Sequence, residues 1–448
     1  MLDLVRATDP LGQVARPVVH QVTPPLEQVG AGIGRFDSIL DHMRQSRLDH
    51  GGSTSRPASA GQIMKRKAHD IERRLPTTSK LAVHAGRLPE SCGFAARYLL
   101  LFLLTAATGC QPPDSNREYR FQGSSMGTTF EVKVVASPFP GQRQEAVREA
   151  IQAQLQDVDG KMSTYREASE ISRLNRSRET TPHSVSRETF TVLAEAQTIS
   201  RVTGGAFDIT VGPLVNAWGF GPAPHPALPP TAAEIEQLKL RSGWAKIELY
   251  PRDSTILKRE PALTLDLSAI AKGYAVDRIS EVLAGMNLTR HMVELGGEVR
   301  TSGRNAGGRP WRIAIEKPVS GGRVFQRILP LENLAVATSG DYRNFRRAED
   351  GHLSHTIDPR TGRPVRHELA SVSVVDASCM RADGFATALM VLGEDDGYRL
   401  ALDQELAALF LVRTREGSFR EKETPAFRRL FGTKPTGTAP EAERESGL

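Results

Sequence analysis

The chain has 448 residues, a hydrophobic fraction of 39% and a formal net charge of +6. This length exceeds one average domain, but polar residues concentrate at the two ends, so the composition predicts a single core. The small charge excess is spread among acidic residues, and no basic helix carries interleaved aromatic side chains, which argues against a nucleic-acid-binding protein.

The N-terminal region, residues 1–90, lacks a sustained apolar period and is rich in Arg, Ser, Gly, Pro and His. This composition is typical of a disordered extension. A signal peptide of normal length would begin near Val83 or Leu88. We therefore expect that translation starts there and that residues 1 to about 85 are not made.

An apolar run, Tyr98–Ala107, follows this extension. It is too short to cross a bilayer as a helix and has the length of a signal-peptide core. Small residues precede Cys110 and a polar stretch follows it, as in bacterial lipoprotein processing sites, although Ala107 stands where leucine is usual. We predict a signal segment over residues 91–109, lipidation of Cys110 and a tether over residues 110–118. An uncleaved signal anchor and a buried core segment are the alternatives.

The first elements after the tether are predicted from hydrophobic periodicity. Thr129–Val135 alternates apolar and polar residues as a half-buried strand does, and Gln144–Met162 places its apolar residues on one helical stripe. A second helix over Glu188–Thr203 ends at a pair of glycines. A proline-rich loop follows over Gly221–Pro230.

Beyond this loop, Thr231 and Glu234 form a capping box that begins a short helix. Apolar runs typical of strands recur after it, mixed with two helical patterns. The predicted strands are Leu263–Leu267, Met292–Leu295, Trp311–Glu316, Ala335–Thr338, Ser371–Val375 and Leu409–Val412. The predicted helices are Ala271–Met286 and Asp383–Leu392.

Strands and helices do not alternate strictly, so the pattern predicts an α+β fold rather than a doubly wound sheet. We expect one catalytic domain of mixed sheets flanked by helices over residues 119–422 and a flexible tail over residues 423–448. Gly303–Pro310 and Ser320–Arg323 are interpreted as hairpin loops.

Two separated segments carry the clearest chemistry. In Asp266–Asp277 an apolar run breaks into a helix at a turn, and a lysine and a glycine follow. Backbone N–H groups, a cation and a carboxylate thus come together, which suits a phosphate and a hard metal. In Ala382–Ala388 a carboxylate and a hydroxyl four residues apart share one face if the segment is helical, and such oxygen ligands suit Mg²⁺. Together the segments predict a diphosphate–Mg²⁺ site.

At these residues the chain resembles the ApbE family of FAD:protein FMN transferases, from about Gly123 to Gly393. Single glycine-rich tetrapeptides occur by chance, but here eight segments follow the family's order. They are Ser125–Thr128, Met162–Tyr165, Gly204–Asp208, Asp266–Asp277, Glu294–Glu298, Thr338–Tyr342, His355–Pro359 with Thr361 and Gly362, and Ala382–Ala388. The resemblance implies an ApbE-like domain related to the T-fold.

The resemblance also implies which residues hold the metal and the diphosphate. Mg²⁺ would be bound by the side chains of Asp383 and Thr387 and by a backbone oxygen near Ala269. Lys272 would contact a phosphate, and Asp266 would contact the flavin or the ribose. Taken alone, Asp383 would be interpreted as an ordinary helix N-terminal carboxylate and Lys272 as a solvated helix lysine.

Five further residues match family positions that contact FAD, namely Met126, Tyr165, Ala206, Phe207 and Asp208. Each has a structural alternative, because a Met, Tyr or Phe beside glycine is commonly part of a core or a turn. Asp208 lies among apolar residues, so its carboxylate needs a partner if it is buried.

His355 is the candidate for proton handling, because an imidazole near its ordinary pKa accepts a hydroxyl proton at neutral pH. We prefer it to His352 because it occupies the family position before Ile357, which would line the cofactor pocket. Asp358 lies in a sequence typical of a tight turn, so its carboxylate can serve the backbone alone.

The resemblance implies an enzyme that transfers FMN from FAD to a threonine or serine hydroxyl of a partner, with release of AMP. The partner would be an acceptor subunit of a membrane redox complex. Two alternatives stay open: an FAD pyrophosphatase that releases FMN and AMP, and a non-catalytic flavin-binding lipoprotein. We expect the protein to be lipid-anchored on the periplasmic side of the cell inner membrane.

Overall fold

The computed structural model describes residues 116–432, apart from residues 222–225, 227, 320–323, 342–344 and 349–350. The predictions for residues 1–90, for the signal segment 91–109 and for Cys110 therefore lie outside the described residues. Within the described ranges, no helix has both the length and the apolar character that a membrane span requires.

The described strands are numbered in chain order. They are β1 (Arg117–Ser125), β2 (Thr128–Ala136), β3 (His183–Ser184), β4 (Ile247–Tyr250), β5 (Thr255–Lys258), β6 (His291–Leu295), β7 (Glu298–Ser302), β8 (Trp311–Glu316), β9 (Phe325–Leu331), β10 (Ala335–Gly340), β11 (Phe345–Ala348), β12 (Gly351–Ser354), β13 (Ile357–Asp358), β14 (Arg363–Pro364), β15 (Leu369–Asp376), β16 (Ala407–Arg413) and β17 (Phe419–Glu423).

The described α-helices are numbered in the same way. They are α1 (Gly141–Met162), α2 (Glu170–Arg176), α3 (Arg187–Val202), α4 (Gly212–Ala217), α5 (Ala232–Leu240), α6 (Ala271–Gly285), α7 (Cys379–Asp403) and α8 (Pro425–Phe431). The mixture of helices with antiparallel strands confirms the predicted α+β class.

The central element is an eight-stranded sheet with the order β1-β2-β6-β7-β10-β15-β16-β17, and each neighbouring pair is antiparallel. Side chains alternate between its two faces. Ala335 and Ala337 of β10 join the core that contains α1, α6 and α7, whereas Val336 joins a second core under the β8–β9 ribbon and α8. The sheet is therefore covered on both sides.

The predicted helices and most predicted strands are confirmed with shifted ends. Helix α1 buries the stripe Val147, Ile151, Leu155, Val158 and Met162. Helix α5 begins with the predicted capping box, in which Thr231 accepts from the Glu234 amide and the Glu234 side chain accepts from the Thr231 amide. These signals are local in sequence, which explains why they could be read there.

The predicted strand Leu263–Leu267 is wrong, because this buried segment joins no sheet ladder. Its backbone is satisfied by other groups. The Leu265 amide donates to Asn175 Oδ1 (2.7 Å), the Asn175 side-chain amide donates to the Leu265 carbonyl (2.9 Å), and the Asp266 amide donates to the Ile209 carbonyl (2.7 Å). A side chain and a loop here take the place of a neighbouring strand.

Several boundaries also need correction. The predicted tether, residues 110–118, is too long, because Arg117 already pairs with Ala136 in β2. The predicted tail, residues 423–448, is wrong over helix α8, where Thr424 caps the helix and the fully buried Phe427 anchors it. Thr424 followed by proline is a helix-start signal, so this helix could be predicted from the sequence.

The two predicted hairpin loops have different outcomes. Gly303–Pro310 is not a hairpin loop, because it joins β7 of the large sheet to β8 of a separate ribbon. Strands β8 and β9 do pair antiparallel, as a hairpin requires, although Ser320–Arg323 lie outside the described residues.

Helix α7 is longer than the predicted Asp383–Leu392 and continues past a kink at Gly393, where φ is 78°.

Candidate functional site

A cavity of about 1050 Å³ collects most of the predicted site residues. Its lining includes Tyr165, Ala206, Phe207, Asp208, Asp266, Ala269, Lys272, His355, Ile357, Asp383 and Thr387. Met126 is the exception. It occupies the turn between β1 and β2 with a φ of 50° and does not line the cavity. It packs against the core that contains α1, α6 and α7, which we call the helix-side core.

The base of the site is the junction between the first turn of α6 and the first turns of α7. The Gly273 amide donates to Asp383 Oδ2 at 3.0 Å, although the two residues are 110 positions apart. A Cβ at Gly273 would lie 2.8 Å from the Asp383 Cβ, so only glycine allows this approach. The predicted proximity of the two chemical segments is therefore confirmed.

Lys272 lies between two buried carboxylates at this junction. Its Nζ is 3.0 Å from Glu298 Oε1 and 3.9 Å from Asp383 Oδ2, and both carboxylate side chains are 5% exposed. Burial raises the pKa of Glu298 to about 7, although Lys272 opposes that rise. Burial also raises the pKa of Asp383. For Lys272 burial alone would lower the pKa, but the two carboxylates outweigh it and raise the pKa above its ordinary value.

The residues present suit Mg²⁺. Glu298 Oε2 is buried and has no hydrogen-bond partner within the described part of the chain. Asp383 and Thr387 line the cavity one helical turn apart, and Ala269 lines it from the turn before α6. The described ranges contain no group of three or more His, Cys, Asp or Glu arranged for a metal. Asp383 supplies one carboxylate, and Thr387 and Ala269 supply neutral oxygens. This donor set suits Mg²⁺, which usually retains several water ligands and also binds the phosphates of a substrate.

The turn before α6 presents Asp266 to the cavity. The Asp266 carboxylate accepts from the Ser268 amide at 2.9 Å and also from the Ser268 hydroxyl. These bonds form a local turn that the side chain of an aspartate stabilises. The contact that we predict between Asp266 and the flavin or the ribose stays a prediction.

Asp208 supports another part of the cavity lining. Its carboxylate accepts from the Thr210 amide (2.8 Å), the Thr210 hydroxyl (2.7 Å) and the Trp244 amide (2.9 Å). Burial raises its pKa in spite of these bonds. The carboxylate thus has the partners that burial requires, and it fixes the loop that brings Ala206 and Phe207 to the cavity.

The remaining predicted residues lie around the rim and one side. Tyr165 is 71% exposed, whereas Ile357 is buried. His355 is half-buried, lines the cavity and lies edge-on to Phe220, with ring centroids 6.5 Å apart. Asp358 accepts from the backbone and side chain of Arg360, so its carboxylate stabilises the turn, as its sequence allowed.

Three residues around this site, Glu298, Ser339 and Asp277, lie in segments that carry the family resemblance, but the sequence analysis gave their side chains no role. Glu298 follows a glycine pair at the start of a buried strand. A carboxylate in such a position could have been chosen from the sequence as a candidate site residue. Asp277 accepts from the amides of Cys379 (2.9 Å) and Met380 (3.0 Å) and so caps α7. No local signal could reveal that cap, because its partners are more than 100 residues away.

Comparison with known proteins gives a consistent result. The model of the ApbE family matches residues 126–410. An FAD:protein FMN transferase of Haemophilus influenzae is 43% identical over 319 residues, which is 70% of this chain and 91% of that protein. One of Vibrio cholerae is 41% identical over 325 residues, which is 72% of this chain and 96% of that protein.

Solved structures agree with the sequence relatives. The structure of flavin transferase ApbE from Vibrio cholerae is 40% identical with a TM-score of 0.65, covering 70% of this chain and 100% of that one. The apo structure of flavinyl transferase ApbE from Pseudomonas stutzeri is 38% identical with a TM-score of 0.66, covering 71% of this chain and 98% of that one.

Proposed function

The chain belongs to the ApbE family, and from this premise we propose that it is an FAD:protein FMN transferase. Its acceptor is a threonine or serine hydroxyl of a partner protein. The acceptor oxygen forms a bond to the FMN phosphorus. The bond between that phosphorus and the bridging oxygen of the diphosphate breaks, and AMP leaves with the electron pair.

The observation that carries this proposal is the hydrogen bond of 3.0 Å between the Gly273 amide and Asp383, beside the Lys272 ammonium. This bond holds the Asp383 carboxylate beside the Lys272 ammonium, and both of these side chains line the cavity. Lys272, which pairs with Glu298, would neutralise charge on the diphosphate of FAD. This arrangement supports phosphoryl chemistry, which depends mostly on positioning and charge.

Mg²⁺ belongs to the proposal as well. Asp383, Thr387 and the backbone oxygen of Ala269 would hold the ion, and their oxygen-only chemistry supports this assignment. When bound, Mg²⁺ supplies Lewis-acid stabilisation of the charge that develops on the diphosphate oxygens. The chain's own contribution is to keep Asp383 dry and fixed against α6.

His355 is the group that we propose takes the acceptor proton. It lines the same cavity as Lys272 and Asp383, and histidine is the side chain that most often acts as a general base. Phe220 contacts the ring edge-on and limits its orientations. FAD hydrolysis would use the same groups with water as acceptor, so it is an outcome of the test below.

The location and the partner are proposed from the sequence alone. Small residues before Cys110 support lipidation of its thiol and anchoring on the periplasmic side of the inner membrane, where an acceptor subunit of a redox complex would be exposed. Mass spectrometry of the mature N-terminus tests this. A peptide from residues 1–80 would contradict the proposed start and cleavage.

The activity is tested by incubating the purified protein with FAD, Mg²⁺ and a threonine-containing peptide from a candidate acceptor subunit. Covalent FMN on the peptide, found by mass spectrometry together with free AMP, is the expected result. Release of FMN and AMP without modified peptide would indicate a hydrolase. Unchanged FAD would indicate a storage protein and would contradict the proposal.

A further inference from the structure

The Thr387 hydroxyl behaves unlike the hydroxyls on helix α3. Thr191, Thr198 and Ser200 each donate to the carbonyl four residues earlier, at 2.9, 3.0 and 2.8 Å. This back-bonding is the ordinary local choice for a helical hydroxyl. Thr387 makes no such bond, and its one hydrogen-bond contact within the described ranges is to Ser339 Oγ at 3.3 Å.

Strand alternation places Ser339 under helix α7. Ala335 and Ala337 of β10 face the helix-side core, and Ser339 continues the same row. Its cross-strand neighbour, Val372, belongs to that core as well. The contact between Ser339 and Thr387 therefore joins the central sheet to the helix that carries Asp383.

We infer that Ser339 is a positioning residue for the metal site: it accepts the Thr387 proton and turns the oxygen lone pairs of Thr387 toward the cavity. A hydroxyl has one proton to donate and two lone pairs, so a bond donated to Ser339 leaves both lone pairs free. Without Ser339 the hydroxyl would turn to the carbonyl of Asp383, four residues earlier. This inference rests on the proposed function, in which Thr387 binds Mg²⁺.

The variant Ser339→Ala removes only this contact. Partners that orient metal ligands typically contribute a factor of about 10 to 100 in metal affinity, and a single hydroxyl belongs at the lower end. We expect Ser339→Ala to need roughly tenfold more Mg²⁺ for half-maximal turnover, with kcat restored at saturating Mg²⁺. Ser339→Thr, which keeps the hydroxyl, should stay close to the wild type.

A second readout does not depend on turnover. ADP presents a diphosphate but carries no FMN to transfer, so Mg²⁺ can be titrated in its presence while thermal unfolding is followed. Because a ligand that binds only the folded state raises the melting temperature, the Mg²⁺ midpoint of that rise reports affinity. For Ser339→Ala it should shift upward roughly tenfold, while the melting temperature without Mg²⁺ stays unchanged.

Ser373→Ala is the matched control. Ser373 Oγ is buried and lies 2.8 Å from Thr338 Oγ1, on the other face of the sheet. The control removes a hydroxyl of the same kind one strand away from Ser339. It should leave the Mg²⁺ midpoint at the wild-type value in both assays.

The outcomes separate the two proposals. If the wild type responds to Mg²⁺ and Ser339→Ala gives the same midpoint, the inference about Ser339 is wrong and the proposed function stands. A lower melting temperature without Mg²⁺ and an unshifted midpoint would show a purely structural role and would also overturn it. If the wild type responds to Mg²⁺ in neither assay, the metal is removed from the proposed function and the inference falls with it.

Discussion

Among the described residues, the cavity cluster and a second cluster near the β8–β9 ribbon each place one cation between two buried or partly buried carboxylates, and they differ in how completely the protein satisfies them. At the cavity, Lys272 lies between Glu298 and Asp383, and Glu298 Oε2 is left without a partner in the described chain. Under the β8–β9 ribbon, Arg327 lies between Glu421 and Glu423.

The second cluster, which we call the ribbon cluster, is filled by further protein groups. Gln326 donates to Glu421 Oε1 at 2.6 Å, Arg327 donates to the Gly432 carbonyl at 3.1 Å, and the guanidinium lies 5.3 Å from the Phe427 ring centroid. Complete satisfaction is what a structural ion cluster requires. A cluster that retains an unpaired oxygen beside a cavity is instead arranged for a ligand.

Asp383→Ala gives the largest expected effect and tests the cavity side of this comparison. Loss of the carboxylate should lower kcat by about 10³-fold, since metal stabilisation of the transition state is worth several kcal/mol. FAD binding, measured by fluorescence titration, should be partly retained. Undiminished turnover without added metal would remove Asp383 from the mechanism.

Arg327→Met tests the ribbon cluster. Removing the cation leaves two partly buried carboxylates without their partner, so the free energy of unfolding should fall by about 3 kcal/mol in urea denaturation. The kcat/KM for FAD should not change. A loss of activity without loss of stability would contradict the structural assignment of this cluster.

His355→Ala sharpens the comparison, because His355 belongs to neither cluster. We expect kcat to fall by about 10²-fold with little change in FAD affinity, as loss of a proton acceptor predicts. Single-turnover kinetics at saturating FAD and Mg²⁺ measure the chemical step directly. Full turnover by the variant would place the proton transfer elsewhere.

Glu298→Gln gives the smallest expected effect and depends on pH. The folded protein binds the Glu298 proton more tightly than the unfolded chain, because burial raises its pKa to about 7 from the ordinary value of 4.5. Stability from this group is therefore fully present below pH 4.5 and is lost as the pH rises toward 7.

The neutral variant should lack this loss. We compare the unfolding free energy of the variant with that of the metal-free wild type at each pH. From pH 4.5 to pH 7 this difference should shift in favour of the variant by on the order of 2 kcal/mol. Urea denaturation in a chelating buffer at several pH values measures the difference. A difference that does not change with pH would show that folding does not raise the pKa of Glu298.

Much of the architecture could be predicted where the signal lies within one turn or one strand. The helical stripe of α1 and the capping box at Thr231 are examples. The strand predicted over Leu263–Leu267 failed for a physical reason. An apolar run indicates that a segment is buried. It does not indicate what its backbone bonds to, and here the partners are the Asn175 side chain and the Ile209 carbonyl.

The sequence by itself determined the composition of the candidate site. The segments around Asp266 and Asp383 predicted that oxygen ligands, a cation and a glycine would be present there. Only the tertiary structure decided that Gly273 meets Asp383 and that Thr387 meets Ser339. These contacts join residues 110 and 48 positions apart. They follow from how α6, α7 and β10 pack, and packing depends on the whole core rather than on any local pattern.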